Sequence, residues 1–270
     1  MLYPSIGKCY RKMFPFRLAT TSYIYPDRIV PNVRMLAPFF DEIELVLFES
    51  ESQDSLLDEE EVEILMNLSV RHGAAFNIHL PLDLFLGDKD QAVRSKGIFI
   101  VKRIIERTLP LHPSVYTLHL DRRNSDGRGE TDIETWRKHI LQSLEEILRC
   151  EIGSKRISIE TLEYPFEWIE NVVKDFNLSI CLDIGHLLIH GLNLKSYFEK
   201  YLSNTSIIHL HGFEKSRDHL GIDRLPESAL KLIFSYLSSY HGIVSLEVFS
   251  MDDLKKSLIS LEEPWAGKSS

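Results

Sequence analysis

The sequence has few cysteines, no long apolar run and no excess of basic residues. Its three cysteines, Cys9, Cys150 and Cys181, are too few and too scattered for a disulfide framework, which favours a reducing cytoplasm. No apolar run approaches the ~20 residues that a membrane-spanning helix needs. The opening residues are interrupted by charges and prolines and lack the continuous apolar core of a secretory leader. We therefore expect a cytoplasmic protein without a membrane span.

The charge balance is acidic, with 40 Asp and Glu against 31 Lys and Arg and a net charge of −9. Proteins that bind a nucleic-acid backbone usually have more basic than acidic residues, so no nucleic-acid partner is expected. The chain is 44% hydrophobic and 26% charged, which is typical of globular proteins and excludes intrinsic disorder.

Short apolar runs alternate with helical patterns along the whole chain. The eight strand-like runs cover 16–21, 43–48, 74–80, 115–120, 156–162, 178–183, 206–212 and 243–249. Helical periodicity is clearest over 56–73 and over 131–150, which opens on a capping-box pattern at Thr131. Eight strand–helix units in 270 residues predict a (β/α)₈ TIM barrel, expected as one domain over 1–270 with its barrel core at about 16–260.

Side chains that bind divalent metals lie at or near the ends of six of these runs. In chain order they are His79, His119, Glu160, Asp183 followed by His186, the pair His209 and His211, and Glu247. A lone histidine in an apolar strand is more often a hydrogen-bonded core residue than a ligand. Here, however, all of these side chains are expected to face one bowl, because the carboxyl ends of barrel strands meet on one face. Burying three carboxylates together without a cation is very unfavourable, so the pattern predicts a metal centre.

The most specific local motif is Asp183-Ile-Gly-His186. A carboxylate ends the strand, a glycine allows the turn, and a histidine follows on the first helical turn. The two side chains are thereby predicted to face one cavity.

These residues, in this order, resemble the xylose-isomerase-like barrel superfamily, which includes apurinic-site endonucleases and many sugar epimerases. The resemblance spans about 16–250. In the endonuclease branch three zinc ions are held by strand-end ligands. By position, the resemblance assigns His79 and His119 to the first ion, Glu160 as a bridge, Asp183, His209 and Glu247 to the second ion, and His186 and His219 to the third.

One position departs from the endonuclease pattern. Where that branch has an Asp two residues before the final His, this chain has Arg217, with Asp218 adjacent to His219. The number of ions is therefore expected to be between one and three, and a contribution from His211, Asp218 or Arg217 to the third site is left open. Carboxylate and imidazole ligands suit Zn²⁺, Mn²⁺ or Fe²⁺.

A narrower resemblance lies in residues 16–49, 77–84 (NIHLPLDL) and 116–123 (YTLHLDRR), which look like the cobamide-remodelling phosphodiesterases. That family implies hydrolysis of the nucleotide-loop phosphodiester of a corrinoid such as pseudocobalamin, with a cobinamide phosphate as product. The substrate is then a small corrinoid, and Glu160, Glu247, His79 and His119 become the expected catalytic residues.

Two segments are candidates for substrate contact. Thr20, Thr21, Ser22 and Tyr23 end the first strand and are predicted to hydrogen-bond the substrate, although Ser and Thr are also common at turns. Arg122 and Arg123 follow the fourth strand and are predicted to meet the phosphate, the alternative being two solvated loop arginines.

Other functions remain open at this point. A sugar or sugar-phosphate epimerase or isomerase needs only one divalent ion, with Glu160 and Glu247 moving a proton between them. Such a mechanism leaves His79 and His119 without a metal role, which favours a hydrolase with several ions. An apurinic-site endonuclease and a non-catalytic corrinoid-binding protein are the remaining alternatives.

Overall fold

Eight parallel strands form a closed barrel, as the sequence predicts. The computed structural model describes residues 5–50, 56–122, 132–150, 152–215 and 217–265. The barrel strands are β1 (Arg17–Thr21), β2 (Glu42–Val46), β3 (Ala75–His79), β4 (Tyr116–Leu118), β5 (Ile157–Glu160), β6 (Ser179–Asp183), β7 (Thr205–Leu210) and β10 (Ile243–Leu246). Each of the eight predicted runs contains one strand or overlaps it, so the TIM barrel prediction is confirmed.

The helices alternate with these strands and cover the outside of the barrel. They are α1 (Ile29–Leu36), α2 (Glu59–His72), α3 (Gln91–Thr108), α4 (Ile133–Ile147), α5 (Glu170–Asp175), α6 (Ile184–Ile189), α7 (Leu194–Tyr201), α8 (Glu227–Leu237) and α9 (Met251–Glu262). Strand β1 pairs in parallel with β2 on one side and with β10 on the other, which closes the barrel.

The ends of the two helices predicted most clearly follow their capping residues. Helix α2 begins after Asp58 and ends at Gly73, which has a φ of 65° that glycine adopts without strain. Helix α4 begins after Asp132, whose side chain accepts from the backbone N–H of Thr135. The predicted cap at Thr131 lies outside the described residues.

A β-hairpin that the sequence does not predict follows β7. Its strands, β8 (Gly212–Glu214) and β9 (Arg217–Leu220), pair antiparallel with each other and lie outside the barrel sheet. His219 on β9 has a φ of 52°, a left-handed conformation that is uncommon for a residue with a side chain.

The side chains inside the barrel are apolar in one layer and polar in the next layer toward the carboxyl end. Ala19, Val115, Cys181, Ile207 and Ile243 form a small buried cluster of their own, and period-two alternation directs these side chains inward. Two residues further along their strands, the inward positions carry polar residues such as Asp183, His209 and Ser245. No helix among the described residues combines the length and apolar character that crossing a membrane requires.

Candidate metal centre

The carboxyl ends of the barrel strands bring the predicted metal-binding side chains into one cluster. His79, Glu160 and Asp183 are the last residues of β3, β5 and β6, while His209 lies one residue before the end of β7. His119 and Glu247 directly follow β4 and β10. The parallel topology therefore places all six side chains at the same end of the barrel, although 168 positions separate the first from the last in sequence.

Glu160 is the centre of this cluster. Its Oε2 lies 3.2 Å from His79 Nε2 and 3.0 Å from His119 Nε2. The same oxygen lies 3.6 Å from His209 Nδ1. His79 is held in place from behind, since its Nδ1 lies 2.9 Å from the carbonyl oxygen of Leu80 and leaves Nε2 directed at Glu160. One buried carboxylate thus joins the histidines of β3 and β4 to the histidine of β7.

Asp183, His209 and Glu247 complete a second group around Glu160. His209 Nδ1 lies 3.2 Å from Glu247 Oε2 and 3.9 Å from Asp183 Oδ2. Asp183 has a further role, because its Oδ1 accepts from the backbone N–H of His186 at 2.7 Å and caps α6. The ligand atoms of Glu160, Asp183, His209 and Glu247 all lie within 4.8 Å of one another, as do those of His79, His119 and Glu160.

A third group contains three histidines, the predicted pair His186 and His219 together with His211. The ligand nitrogens of His186, His211 and His219 lie within 4.8 Å of one another. His211 is fully buried, and its ring centroid is 4.2 Å from that of His219. Asp218 Oδ2 lies 4.0 Å from His186 Nε2 and 3.8 Å from His219 Nε2, and Arg217 is exposed. His211 and Asp218 are therefore both close enough to complete a site with His186 and His219.

Gly185 in the Asp183-Ile-Gly-His186 motif serves close packing rather than a turn. It lies within α6, and a Cβ at this position would overlap the imidazole ring of His211. The sequence-based reason for this glycine, freedom to turn, is therefore wrong. The residue is needed because His211, directly after β7, approaches the helix too closely for any side chain at this position.

The electrostatics of the cluster favour charged histidines beside charged carboxylates. Burial alone would raise the pKa of Glu160, but His119 and His209 hold it well below its ordinary value. Burial alone would likewise lower the pKa of His79, but its contact with Glu160 raises that pKa to about 9. His211 behaves in the same way beside Asp183, with its pKa raised to about 9.

The donor set fits divalent cations. It combines imidazole nitrogens with carboxylate oxygens, which suit Zn²⁺, Mn²⁺ and Fe²⁺. His209 Nδ1, which faces the cluster, and one carboxylate oxygen of Glu247 are buried without a hydrogen-bond partner among the described residues. Buried polar atoms without partners are unfavourable, and a cation between them would satisfy both at once.

The predicted substrate residues of the first strand divide into two kinds. Thr20, Thr21 and Ser22 are completely buried. Thr20 and Thr21 donate to the carbonyl oxygens of Leu246 and Val248, and Ser22 accepts from the N–H of Val46. Their hydroxyls join β1 to its neighbouring strands, so the structure does not support a direct contact with substrate. Tyr23 is partly exposed and remains a candidate.

Tyr23 belongs to a row of aromatic rings that we call the aromatic wall, which consists of Tyr23, Phe48 and Phe249. The ring centroids of Tyr23 and Phe48 are 4.8 Å apart, and those of Phe48 and Phe249 are 5.5 Å apart. Phe249 in turn lies 5.2 Å from the ring of His219. The aromatic wall therefore extends from the carboxyl end of β1 to the third histidine group.

Arg122 lies three residues after His119, and its side chain stacks on an aromatic ring. Its guanidinium carbon is 4.7 Å from the ring centroid of Trp168, which is a cation–π distance. Trp168 stacks in turn on the ring of Tyr164 at 5.8 Å. Arg122 is thus a packed cation and not a freely solvated one, whereas Arg123 lies outside the described residues.

Comparison with known proteins supports the same architecture. The profile of the xylose isomerase-like TIM barrel family matches residues 40–267. The chain belongs to this family. No curated protein sequence matches the chain.

Three solved structures illustrate the range of xylose isomerase-like barrels that this chain resembles. A D-tagatose 3-epimerase-like protein is 22% identical with a TM-score of 0.71, and 93% of this chain and 97% of that chain are covered. The IolI protein with a bound zinc atom is 15% identical with a TM-score of 0.72 over 94% and 100% of the two chains. Endonuclease IV from Thermus thermophilus is 17% identical with a TM-score of 0.67 over 92% and 99%. At these identities the likeness establishes the shared fold alone.

Sequence reasoning missed two buried residues beside the candidate metal ligands of this xylose isomerase-like barrel. Glu44 Oε1 lies 2.9 Å from His209 Nε2, and the Cys181 thiol lies with the ligand atoms of Glu160 and His209. Burial raises the pKa of the Cys181 thiol well above its ordinary value. Both residues lie within strands instead of at strand ends, so the strand-end pattern does not reveal them.

Proposed function

We propose that the protein is a metal-dependent phosphodiesterase that hydrolyses the nucleotide-loop phosphodiester of cobamides to a cobinamide phosphate. The observation that supports it most is the position of Glu160 between two ligand groups. One group adds His79 and His119, and the other adds Asp183, His209 and Glu247. A carboxylate shared in this way suits two adjacent cations, an arrangement that recurs in phosphoryl-transfer enzymes.

The chain's own residues have distinct parts in the proposed reaction. Divalent ions held by the two groups would lower the pKa of a bound water and offset charge on the phosphoryl oxygens. His79, His119 and Glu247 would hold these ions beside Glu160, since their ligand atoms lie within 4.8 Å of its carboxylate. Water adds its oxygen to phosphorus, the bond from phosphorus to the nucleoside oxygen breaks, and the proton goes to that leaving oxygen.

Two features of the barrel mouth fit a large, weakly charged substrate with one phosphate. Arg122, held against Trp168, offers a guanidinium to a phosphate near the end of β4. The aromatic wall offers ring faces to an extended apolar surface. The corrinoid itself comes from the resemblance of residues 16–49, 77–84 and 116–123 to cobamide-remodelling phosphodiesterases.

The direct test is anaerobic incubation of the metal-loaded protein with a complete cobamide, followed by mass spectrometry of the products. We expect a cobinamide phosphate and a free nucleoside, and no nicking of duplex DNA with abasic sites in 0.2 M salt. The net charge of −9 disfavours that polyanion. Nicking of such DNA at a comparable rate would overturn the proposed substrate.

A sugar epimerase is the second candidate, and one observation favours it. Glu160, Asp183, His209 and Glu247 form a complete four-ligand site for a single ion, with two glutamates on it. His119→Ala separates the two functions. In a two-ion phosphodiesterase this variant should lower kcat/KM about a hundredfold, a loss of about 3 kcal/mol of transition-state stabilisation.

The matched control for this variant is His72→Ala, which removes an imidazole from α2 on the outside of the barrel. Near-normal turnover of His119→Ala, together with isomerisation of a ketose by the wild type, would favour the single-ion epimerase.

A further inference from the structure

Glu44 is a completely buried acid for which the proposed reaction has no use. It lies in the interior of β2, two residues before Val46, with no exposed surface. Its nearest titratable partner is His209 on β7, and in the barrel order β1 and β10 separate these two strands. The contact between Glu44 and His209 therefore crosses the barrel interior.

The ring of His209 divides its two nitrogens between different partners. Nδ1 faces the carboxylates of the metal cluster, 3.2 Å from Glu247 Oε2 and 3.6 Å from Glu160 Oε2. Nε2 faces the other way, 2.9 Å from Glu44 Oε1. A neutral imidazole that binds a cation through one nitrogen carries its proton on the other. Histidine ligands usually direct that N–H at a carboxylate or carbonyl, which fixes both tautomer and ring orientation.

Ser245 holds the carboxylate of Glu44 in this position. Its Oγ donates to Glu44 Oε2 at 2.5 Å, and Ser245 is the residue on β10 that pairs directly with His209 on β7. One carboxylate oxygen is thus occupied by the strand next to His209. The other oxygen, Oε1, lies 2.9 Å from His209 Nε2, and neither of these two atoms has a hydrogen bond of regular geometry to any described residue.

We propose that Glu44 is a positioning residue for the metal centre. It holds the ring of His209 with Nε2–H toward itself, so that the Nδ1 lone pair is presented to the cation shared with Glu160, Asp183 and Glu247. Ser245 contributes indirectly, because its hydrogen bond orients the Glu44 carboxylate. This inference rests on the metal centre of the proposed function but not on the identity of the substrate.

The test is zinc affinity of the full-length protein, measured by competition with a chromophoric chelator. Glu44→Gln keeps the size of the side chain but removes the charge and permits the wrong tautomer of His209. The zinc dissociation constant should rise about 10- to 100-fold, the effect typical of losing an outer partner of a ligating histidine. Ser245→Ala should raise it less. The visible spectrum of the Co²⁺-loaded protein should change in both variants, because the geometry of the ligand changes.

The matched control is Glu42→Gln, which removes the charge of another completely buried glutamate on the inward face of β2. Its zinc affinity should stay within about twofold of wild type, since Glu42 touches no ligand of the cluster. If circular dichroism shows that Glu44→Gln does not fold, the zinc affinity and Co²⁺ spectrum of Ser245→Ala test the proposal instead. Unchanged zinc affinity and Co²⁺ spectra in the folded variants would overturn the positioning role while leaving the metal centre intact. A wild-type protein that binds no zinc and no Co²⁺ would overturn both.

Discussion

The two ends of the barrel interior both bury carboxylates, but they neutralise them differently. At the amino end of β2, Glu42 is paired with the guanidinium of Arg17. It also accepts from Ser114 Oγ at 2.6 Å and from Asn77 Nδ2 at 3.2 Å. Its negative charge is therefore balanced within the protein by a group that does not lose its proton.

At the carboxyl end, every ion pair that the described residues form with Glu160, Asp183 and Glu247 involves a histidine. Histidine supplies a positive charge that it can give up, and its neutral nitrogen then binds a metal. An arginine offers neither property. We therefore expect the amino end to contribute stability, and the carboxyl end to exchange protons for cations as the proposed metal centre requires.

The strongest test of this difference between the two ends of the barrel interior is to remove one carboxylate from each end. Glu160→Gln should abolish stoichiometric metal binding and lower kcat/KM about a thousandfold, because several kcal/mol of charge stabilisation are lost. Glu42→Gln should leave both quantities near wild type. The readouts are metal content by mass spectrometry and initial rates of cobamide hydrolysis. Full metal occupancy in Glu160→Gln would contradict the assignment of this residue as the shared ligand.

The candidate ligands at the strand ends could be predicted because each of them lies at or near the end of an apolar run in the sequence. His79, Glu160 and Asp183 illustrate this, since the pattern alone places them at carboxyl ends that a parallel barrel must bring together. Their convergence requires only the fold class and no detail of side-chain packing.

The remaining features depend on contacts between strands that are distant in sequence. Glu44 meets His209 across the interior, and Thr20 donates to a backbone carbonyl of β10 that lies 226 positions away. His211 meets His186 because β7 pairs with β6, which leads into α6, and the β8–β9 hairpin then brings His219 back beside both. No local pattern encodes these partners, so sequence reasoning missed Glu44 and did not predict the backbone hydrogen bond of Thr20.

The stability of the metal-free protein should depend on pH through the carboxyl end. The pKa of His79 is about 9 in the folded protein against an ordinary value of 6.5, and that of His211 is also raised to about 9. A raised histidine pKa stabilises the fold fully below pH 6.5, and this contribution is lost as the pH rises toward 9. For one such histidine the loss amounts to at most about 3 kcal/mol.

The measurement is urea unfolding between pH 6.5 and pH 9, with the protein either stripped by a chelator or loaded with zinc. The metal-free protein should lose stability across this range, while the loaded protein should not, because the cation replaces the protons that the histidines release. The gap between the two should therefore widen with pH. A constant gap would show that the histidines of the cluster are already neutral at pH 6.5.

The smallest expected effect comes from breaking the pair at the amino end. Arg17→Met leaves Glu42 buried with only Ser114 and Asn77, and burial already raises the pKa of Glu42. Removing one partner of a fully buried ion pair destabilises a protein by about 3–5 kcal/mol. Because the Arg17 side chain is 48% exposed, solvent screening should reduce this to about 1 kcal/mol. The double variant Arg17→Met/Glu42→Met should recover most of the loss, since an apolar pair of similar size needs no neutralising charge. Zinc affinity should be unchanged in both variants, and a fall in that affinity would show that the two ends of the barrel do not act independently.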